Sequence, residues 1–165
     1  MIGVDANILA FYVIEGKRTT EANALRELDA EWIVPTVWCV EFQSILWTYV
    51  RFGGMPTEKA LELLDQAIAL FSVNEATPPP DMVLRNAIAW GITVYDAQYV
   101  LLAKQVGVRC ITEDVPVQKA CPGVALSLQD FINRAADGNV VRERQATYRT
   151  RRTSKTRKGL PADVP

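Results

Sequence analysis

Four acids stand where an acid can do chemistry: Asp5, Glu41, Asp96 and Asp114. Asp5 closes the apolar run Ile2-Gly3-Val4 and opens a helical pattern. That places it at the carboxyl end of a buried strand, where open α/β sheets hold their ligands. Asp114 follows the apolar run from Val108 to Thr112 and takes the same place on a second strand. Asp96 stands in the first turn of the helix leading into that strand, and Glu41 projects from the helix after a strand at Trp32-Ile33-Val34. In one crevice these carboxylates repel: two of them at about 5 Å cost roughly 3 kcal/mol at an effective dielectric near 20. Such a group persists by taking up protons or a cation, and oxygen ligands alone select Mg²⁺ or Mn²⁺.

Each acid has an ordinary explanation beside the chemical one. Asp5 is a favoured helix N-cap. Asp96 suits the positive end of a helix dipole. Glu41 lies about 60° from the centre of an apolar stripe by the helical period, at an edge where a glutamate either snorkels to solvent or turns inward.

The elements that must position these acids read as alternating strands and helices. A helix runs from Asp5 to about Val13 and a second from Thr19 or Thr20 to about Ala30. After the 32–34 strand, Pro35-Thr36 starts a long helix ending at Gly53-Gly54, with Trp38, Phe42, Ile45, Tyr49 and Phe52 as its apolar stripe. Met55-Pro56-Thr57 restarts a helix to Phe71, whose inward face is read as Leu61, Leu64, Ile68 and Phe71. Residues 72–74 read as a brief strand. Helices are expected up to Trp90 and from Thr93. The second of these buries Tyr99, Val100, Ala103 and Gly107 on the face that Asp96 heads, the small residues allowing close approach to the sheet. Strands at 108–112 and 124–126 flank a short helix from Pro116, and Ser127 caps a last helix to about Ala136. Strand–helix alternation predicts a three-layer α/β/α sandwich around a mostly parallel sheet. The first strand and the 108–112 strand can then be neighbours.

The chain has 165 residues and no histidine. That excludes Ser-His-Asp triads, histidine acid–base catalysis and histidine-ligated zinc. Cys39, Cys110 and Cys121 lack zinc spacing and read as free, buried thiols in a reducing compartment. There is no basic leader before the first apolar run and no uninterrupted apolar stretch long enough for a bilayer. A cytoplasmic protein without a membrane partner is the expectation. Charge divides the chain. Residues 1–141 carry 10 Lys and Arg against 17 Asp and Glu, a net −7, whereas residues 142–165 carry 8 against 2, a net +6. The expected organisation is a domain over 1–138 and a basic extension over 139–165, partly disordered or helical. That extension is either simply solvated or makes electrostatic contact with nucleic-acid phosphate or an acidic partner.

Four segments together carry a resemblance. Val4-Asp5-Ala6-Asn7-Ile8-Leu9, Val40-Glu41-Phe42, Tyr95-Asp96-Ala97-Gln98-Tyr99 and Ile111-Thr112-Glu113-Asp114 resemble, in order, the acidic motifs of PIN-domain nucleases, especially VapC-type toxins. The resemblance spans about residues 1–136. It implies that Asp5, Glu41, Asp96 and Asp114 surround one or two Mg²⁺ or Mn²⁺ ions, that Asn7 and Thr112 support the acids, and that Glu113 stands outside the site. It implies an endoribonuclease in which metal-activated water attacks the phosphodiester, leaving 5′-phosphate and 3′-hydroxyl ends. It also implies an RNA substrate, a cognate antitoxin and a homodimer. The apolar surface between Trp47 and Phe71 is the candidate antitoxin groove.

Other classes fit less well. A response-regulator receiver needs a phosphoacceptor Asp ending a middle strand, and Val73-Asn74 offers none. A haloacid-dehalogenase phosphatase needs Asp-x-Asp, and position 7 is Asn. A PIN-like domain that binds RNA or protein without cleaving it, and an RNA-processing nuclease that is not a toxin, remain as alternatives.

Overall fold

The computed structural model describes residues 1–137. The basic extension, and the boundary expected at 138, lie outside the described residues.

Strand β1 (Ile2–Val4) is buried throughout and runs straight into helix α1 (Ala6–Val13). Helix α2 (Thr19–Leu28) precedes β2 (Trp32–Ile33). Helices α3 (Trp38–Gly53) and α4 (Thr57–Phe71) pack on one another, and a 3-10 turn at Ser72–Asn74 follows. Helices α5 (Pro80–Trp90) and α6 (Val94–Val106) form a second packed pair. The described chain closes with β3 (Cys110–Ile111), α7 (Val115–Ala120), β4 (Ala125–Leu126) and α8 (Leu128–Ala136).

The four strands form one sheet in the order β2-β1-β3-β4, parallel at every pairing. Parallel neighbours need crossover connections, and here helices supply them, flanking the sheet as the expected α/β/α sandwich. From β1 the chain moves outward to β2 on one side, then returns to β3 and β4 on the other. The switch in direction falls between β1 and β3, whose register pairs Gly3 with Cys110 and Val4 with Ile111. Such a switch point opens a crevice at the carboxyl ends of the strands.

Two packing features hold the elements around that crevice. On one side, α6 lies directly on β1 and β3. A Cβ built on Gly3 would stand 3.0 Å from the Ala103 Cβ, so the absence of a side chain in β1 lets α6 sit this close. Gly107, expected to share in that close packing, is instead exposed and ends α6 with φ 79°, a left-handed cap. On the other side, the Phe71 ring stacks on Trp32 with centroids 5.7 Å apart and meets the edge of Trp38 at 5.9 Å. Those rings fasten the end of α4 and the start of α3 to β2, and with them the turn of α3 that carries Glu41.

The buried faces of α3 and α4 differ from expectation. Trp38, Phe42 and Leu46 are the buried line of α3, whereas Tyr49 and Phe52 are exposed. In α4, Ala60, Leu63, Ala67 and Phe71 turn inward while Leu61 and Ile68 stay in solvent. The buried lines of α3 and α4 pack on α1 and on each other, and the exposed apolar residues lie on faces outside that packing. The expected strand at 72–74 is the 3-10 turn. Only the bridge between Val34 and Glu75 adds a parallel contact there, because the preceding helix continues directly into the turn. Cys39, Cys110 and Cys121 are free thiols.

Candidate functional site

Asp5 follows β1 with extended backbone geometry, and its Oδ1 accepts the Ile8 amide at 2.9 Å. It is the N-cap of α1, and it also lines a small pocket with Asp96, Tyr99, Val100, Cys110, Thr112 and Val117. The capping and the chemical readings of Asp5 therefore hold together. Its backbone stays in the ladder, the amide donating to the Ile111 carbonyl at 3.2 Å. Asp5 is only 9% exposed. Burial raises its carboxyl pKa from 3.8 to about 6, against the lowering effect of hydrogen bonds from the Thr112 hydroxyl and the Ile8 and Asn7 amides, and the Glu41 charge pushes the same way as burial. A carboxylate so placed is short of compensating charge.

Thr112 continues β3, its amide donating to the Leu126 carbonyl at 3.0 Å. Its hydroxyl serves both strand ends at once: it donates to Asp5 and accepts the Asp114 amide at 3.0 Å. Asn7 contributes its backbone amide to Asp5, while the residue is otherwise exposed.

Asp96 belongs to the first turn of α6. Thr93, the N-cap, accepts the Asp96 amide at 3.1 Å and donates its hydroxyl to Asp96 Oδ2 at 2.5 Å. This reciprocal cap fixes the carboxylate at the mouth of the pocket.

Glu41, half-buried on α3, accepts the Tyr99 hydroxyl through Oε2. Burial raises its pKa, with the Tyr99 bond opposing and the Asp96 charge assisting. Burial and the neighbouring Glu41 drive the Tyr99 phenol far above its ordinary value, so it remains a donor. The Cys110 thiol is held protonated mainly by burial and next by the Asp5 charge.

The structure thus brings Asp5 and Asp96 into one pocket and sets Glu41 close enough for its charge to be felt by Asp5, and for Asp96 to be felt by it. It does not bring all four expected acids together. Asp114 caps α7, its Oδ1 accepting the Val117 amide at 2.9 Å, and it does not line the pocket. Among the described residues, no group of three or more Asp, Glu or Cys side chains is arranged to grip one ion. Asp114 is fixed at the start of α7 and Glu41 on the Tyr99 hydroxyl, and neither is among the residues that line the pocket.

A cation need not find a cage. Mg²⁺ keeps several waters and is usually held by one or two carboxylates plus substrate phosphate. The pocket, about 10 Å³, has room for one water or one ion. With Asp5 buried and short of compensating charge, and Asp96 offering carboxylate oxygen at the part-exposed mouth, the pair fits a hard divalent ion in that mode.

Two residues have roles that local sequence patterns do not state. Periodicity puts Tyr99 on the buried face, and a buried tyrosine hydroxyl needs a partner; Tyr99 falls one turn after Asp96. Glu113, left outside the site, is a latch: it accepts the Leu128 amide at 2.9 Å and pairs with Arg18 at 3.3 Å, tying the loop of Thr112 and Asp114 to α8 and α2.

No protein-family model matches the chain. Individual proteins do. Exonuclease VapC9 of Pyrobaculum aerophilum is 36% identical over 96 residues, 58% of this chain and 71% of that protein. The chain belongs to the VapC family of PIN-domain proteins. A second VapC protein of the same organism, Ribonuclease VapC3, is 26% identical over 125 residues, 73% of this chain and 95% of its own. The fold has counterparts among solved structures. The crystal structure of PAE2754 from Pyrobaculum aerophilum superposes with a TM-score of 0.66 at 24% identity, covering 82% of this chain and 96% of that one. FitAcB from Neisseria gonorrhoeae superposes with a TM-score of 0.59 at 17% identity, covering 78% and 99%.

Proposed function

We propose that this VapC-family chain is a divalent-metal-dependent endoribonuclease and the toxin of a toxin–antitoxin pair, acting in the cytoplasm. The observation that carries the reading is the pocket shared by Asp5 and Asp96 beside Glu41 at the switch point of the sheet. The names of its two VapC relatives, one a ribonuclease and one an exonuclease, support a nuclease.

In this reading Asp5 and Asp96 hold Mg²⁺ or Mn²⁺, with Glu41 and Asp114 completing the acidic site around RNA. A divalent cation bound there lowers the pKa of water and offsets phosphate charge. The chain does the positioning. Thr112 and the Ile8 amide aim Asp5, and Thr93 aims Asp96. Val100, Val117 and Cys110 line the pocket with apolar or weakly polar surface, so the charges inside act in a low dielectric. Burial favours a proton on the Asp5 carboxyl, and that proton competes with the cation as pH falls.

The domain is taken to comprise residues 1–138, with 139–165 as a basic extension that meets RNA phosphate. An acidic body favours such an arrangement. Exposed Trp47, Phe52 and Leu61 support an antitoxin groove along the α3–α4 pair, although Phe71 is wholly buried and is not part of it. A homodimer is part of the same proposal. Among the described residues no helix is long and apolar enough to cross a membrane.

A second reading, a PIN-like domain that binds RNA or protein without cleaving it, draws on the engagement of Asp114 as a cap. One assay separates the readings. Linear and circularised RNA are incubated with the wild type and Asp5→Asn in Mg²⁺, Mn²⁺ or EDTA. Cleavage of the circle with Mg²⁺ or Mn²⁺, lost in EDTA and in the variant, is expected. Cleavage of the linear form alone indicates an exonuclease, and activity that persists in EDTA or in Asp5→Asn defeats the proposed site.

A further inference from the structure

Glu41 and Tyr99 come from different helices, 58 residues apart in sequence, and their side chains meet at the pocket. Tyr99 is 4% exposed and lines the pocket with Asp5 and Asp96, and Glu41, which does not line it, is tied to the pocket through the Tyr99 hydroxyl. The phenol takes Oε2 of Glu41. Among the described residues, Glu41 Oε1 accepts no hydrogen bond from the protein. Glutamate is long and carries rotamer freedom that is lost only when something holds it. Asp5 and Asp96, by contrast, are short: a threonine hydroxyl and the Ile8 amide hold the Asp5 carboxylate, and the Thr93 hydroxyl holds that of Asp96.

We propose that Tyr99 is a positioning residue: its hydroxyl fixes the Glu41 carboxylate beside the Asp5–Asp96 pocket, leaving one oxygen free to face a divalent cation. The inference rests on the cation reading given above. Ligand-orienting hydrogen bonds of this kind are commonly worth 10–100-fold in metal affinity or activity. Tyr99→Phe keeps the ring in the wall and removes only the hydroxyl.

The test is Mn²⁺ binding to the full-length protein without RNA, followed by electron paramagnetic resonance and calorimetry. The wild type, Tyr99→Phe, Glu41→Gln and the double variant are compared, with thermal melts in EDTA. Tyr99→Phe is expected to weaken Mn²⁺ about tenfold with its EDTA melt near that of the wild type. On the Glu41→Gln background the same change is expected to add nothing, because its effect passes through Glu41. Wild-type affinity in Tyr99→Phe, or a full further loss on the Glu41→Gln background, would overturn the inference and leave the cation reading intact. A Tyr99→Phe protein that melts far below the wild type would overturn it too, since the hydroxyl would then be holding the fold. A wild type that does not bind Mn²⁺ sinks the cation reading itself, and this inference with it.

Discussion

Replacing Asp5 by Asn should make the metal-free protein more stable. The perturbation removes a negative charge from a residue that is 9% exposed and leaves an amide oxygen for the Ile8 amide at the start of α1. The carboxyl titrates at about 6 in the fold against 3.8 outside it, about two units, or about 3 kcal/mol at most between the two protonation states. A carboxyl whose pKa is raised by folding contributes stability while protonated. That contribution is complete below pH 3.8 and is lost as pH rises through about 6. At pH 8 in EDTA, Asp5→Asn should therefore exceed the wild type by about 1–3 kcal/mol, some 3–10 °C in melting temperature for a chain of this size. Below pH 4 the advantage should vanish. Saturating Mn²⁺ should reverse the order at pH 8, since a ligand at a thousand times its Kd adds about 4.1 kcal/mol to the protein that binds it. Urea and thermal melts across pH 4–8, with and without Mn²⁺, measure all of this. If Asp5→Asn is the less stable protein at pH 8 in EDTA, capping outweighs charge burial at this position and the undercompensated pocket is wrong.

Other perturbations separate structural from chemical roles. Gly3→Ala should cost about 1–3 kcal/mol in urea melts, as an overpacked contact does, because the new methyl meets Ala103 at 3.0 Å. Asp114→Ala should lose about 1 kcal/mol with the α7 cap, whereas Asp114→Asn keeps the cap. Asn should thus leave the melt unchanged and lower RNA cleavage at least about tenfold, and undiminished cleavage would make Asp114 a cap alone. Truncation after Gly138 should weaken RNA binding and flatten its dependence on salt. An unchanged salt slope would remove the basic extension from the RNA contact.

The sequence by itself determined what is written in short-range patterns. Asp5 stops an apolar run and Ser127 and Thr93 precede helical ones, so strand ends, caps and most element boundaries follow from local hydrogen bonding and periodicity. Alternation then implied a parallel sheet, and the motif acids fell at strand ends or in helix first turns. Tertiary structure decided the rest. Which face of α3 and α4 turns inward is set by their packing on α1 and on each other, and Tyr49, Phe52, Leu61 and Ile68 stay exposed outside it. The order β2-β1-β3-β4 sets Val4 beside Ile111 and so brings Asp5 to Thr112. No local pattern states that Tyr99 reaches Glu41, or that of two capping aspartates Asp5 lines the pocket and Asp114 does not. Charge repulsion and the need of buried polar groups for partners act through space, and only the packed chain fixes which groups meet.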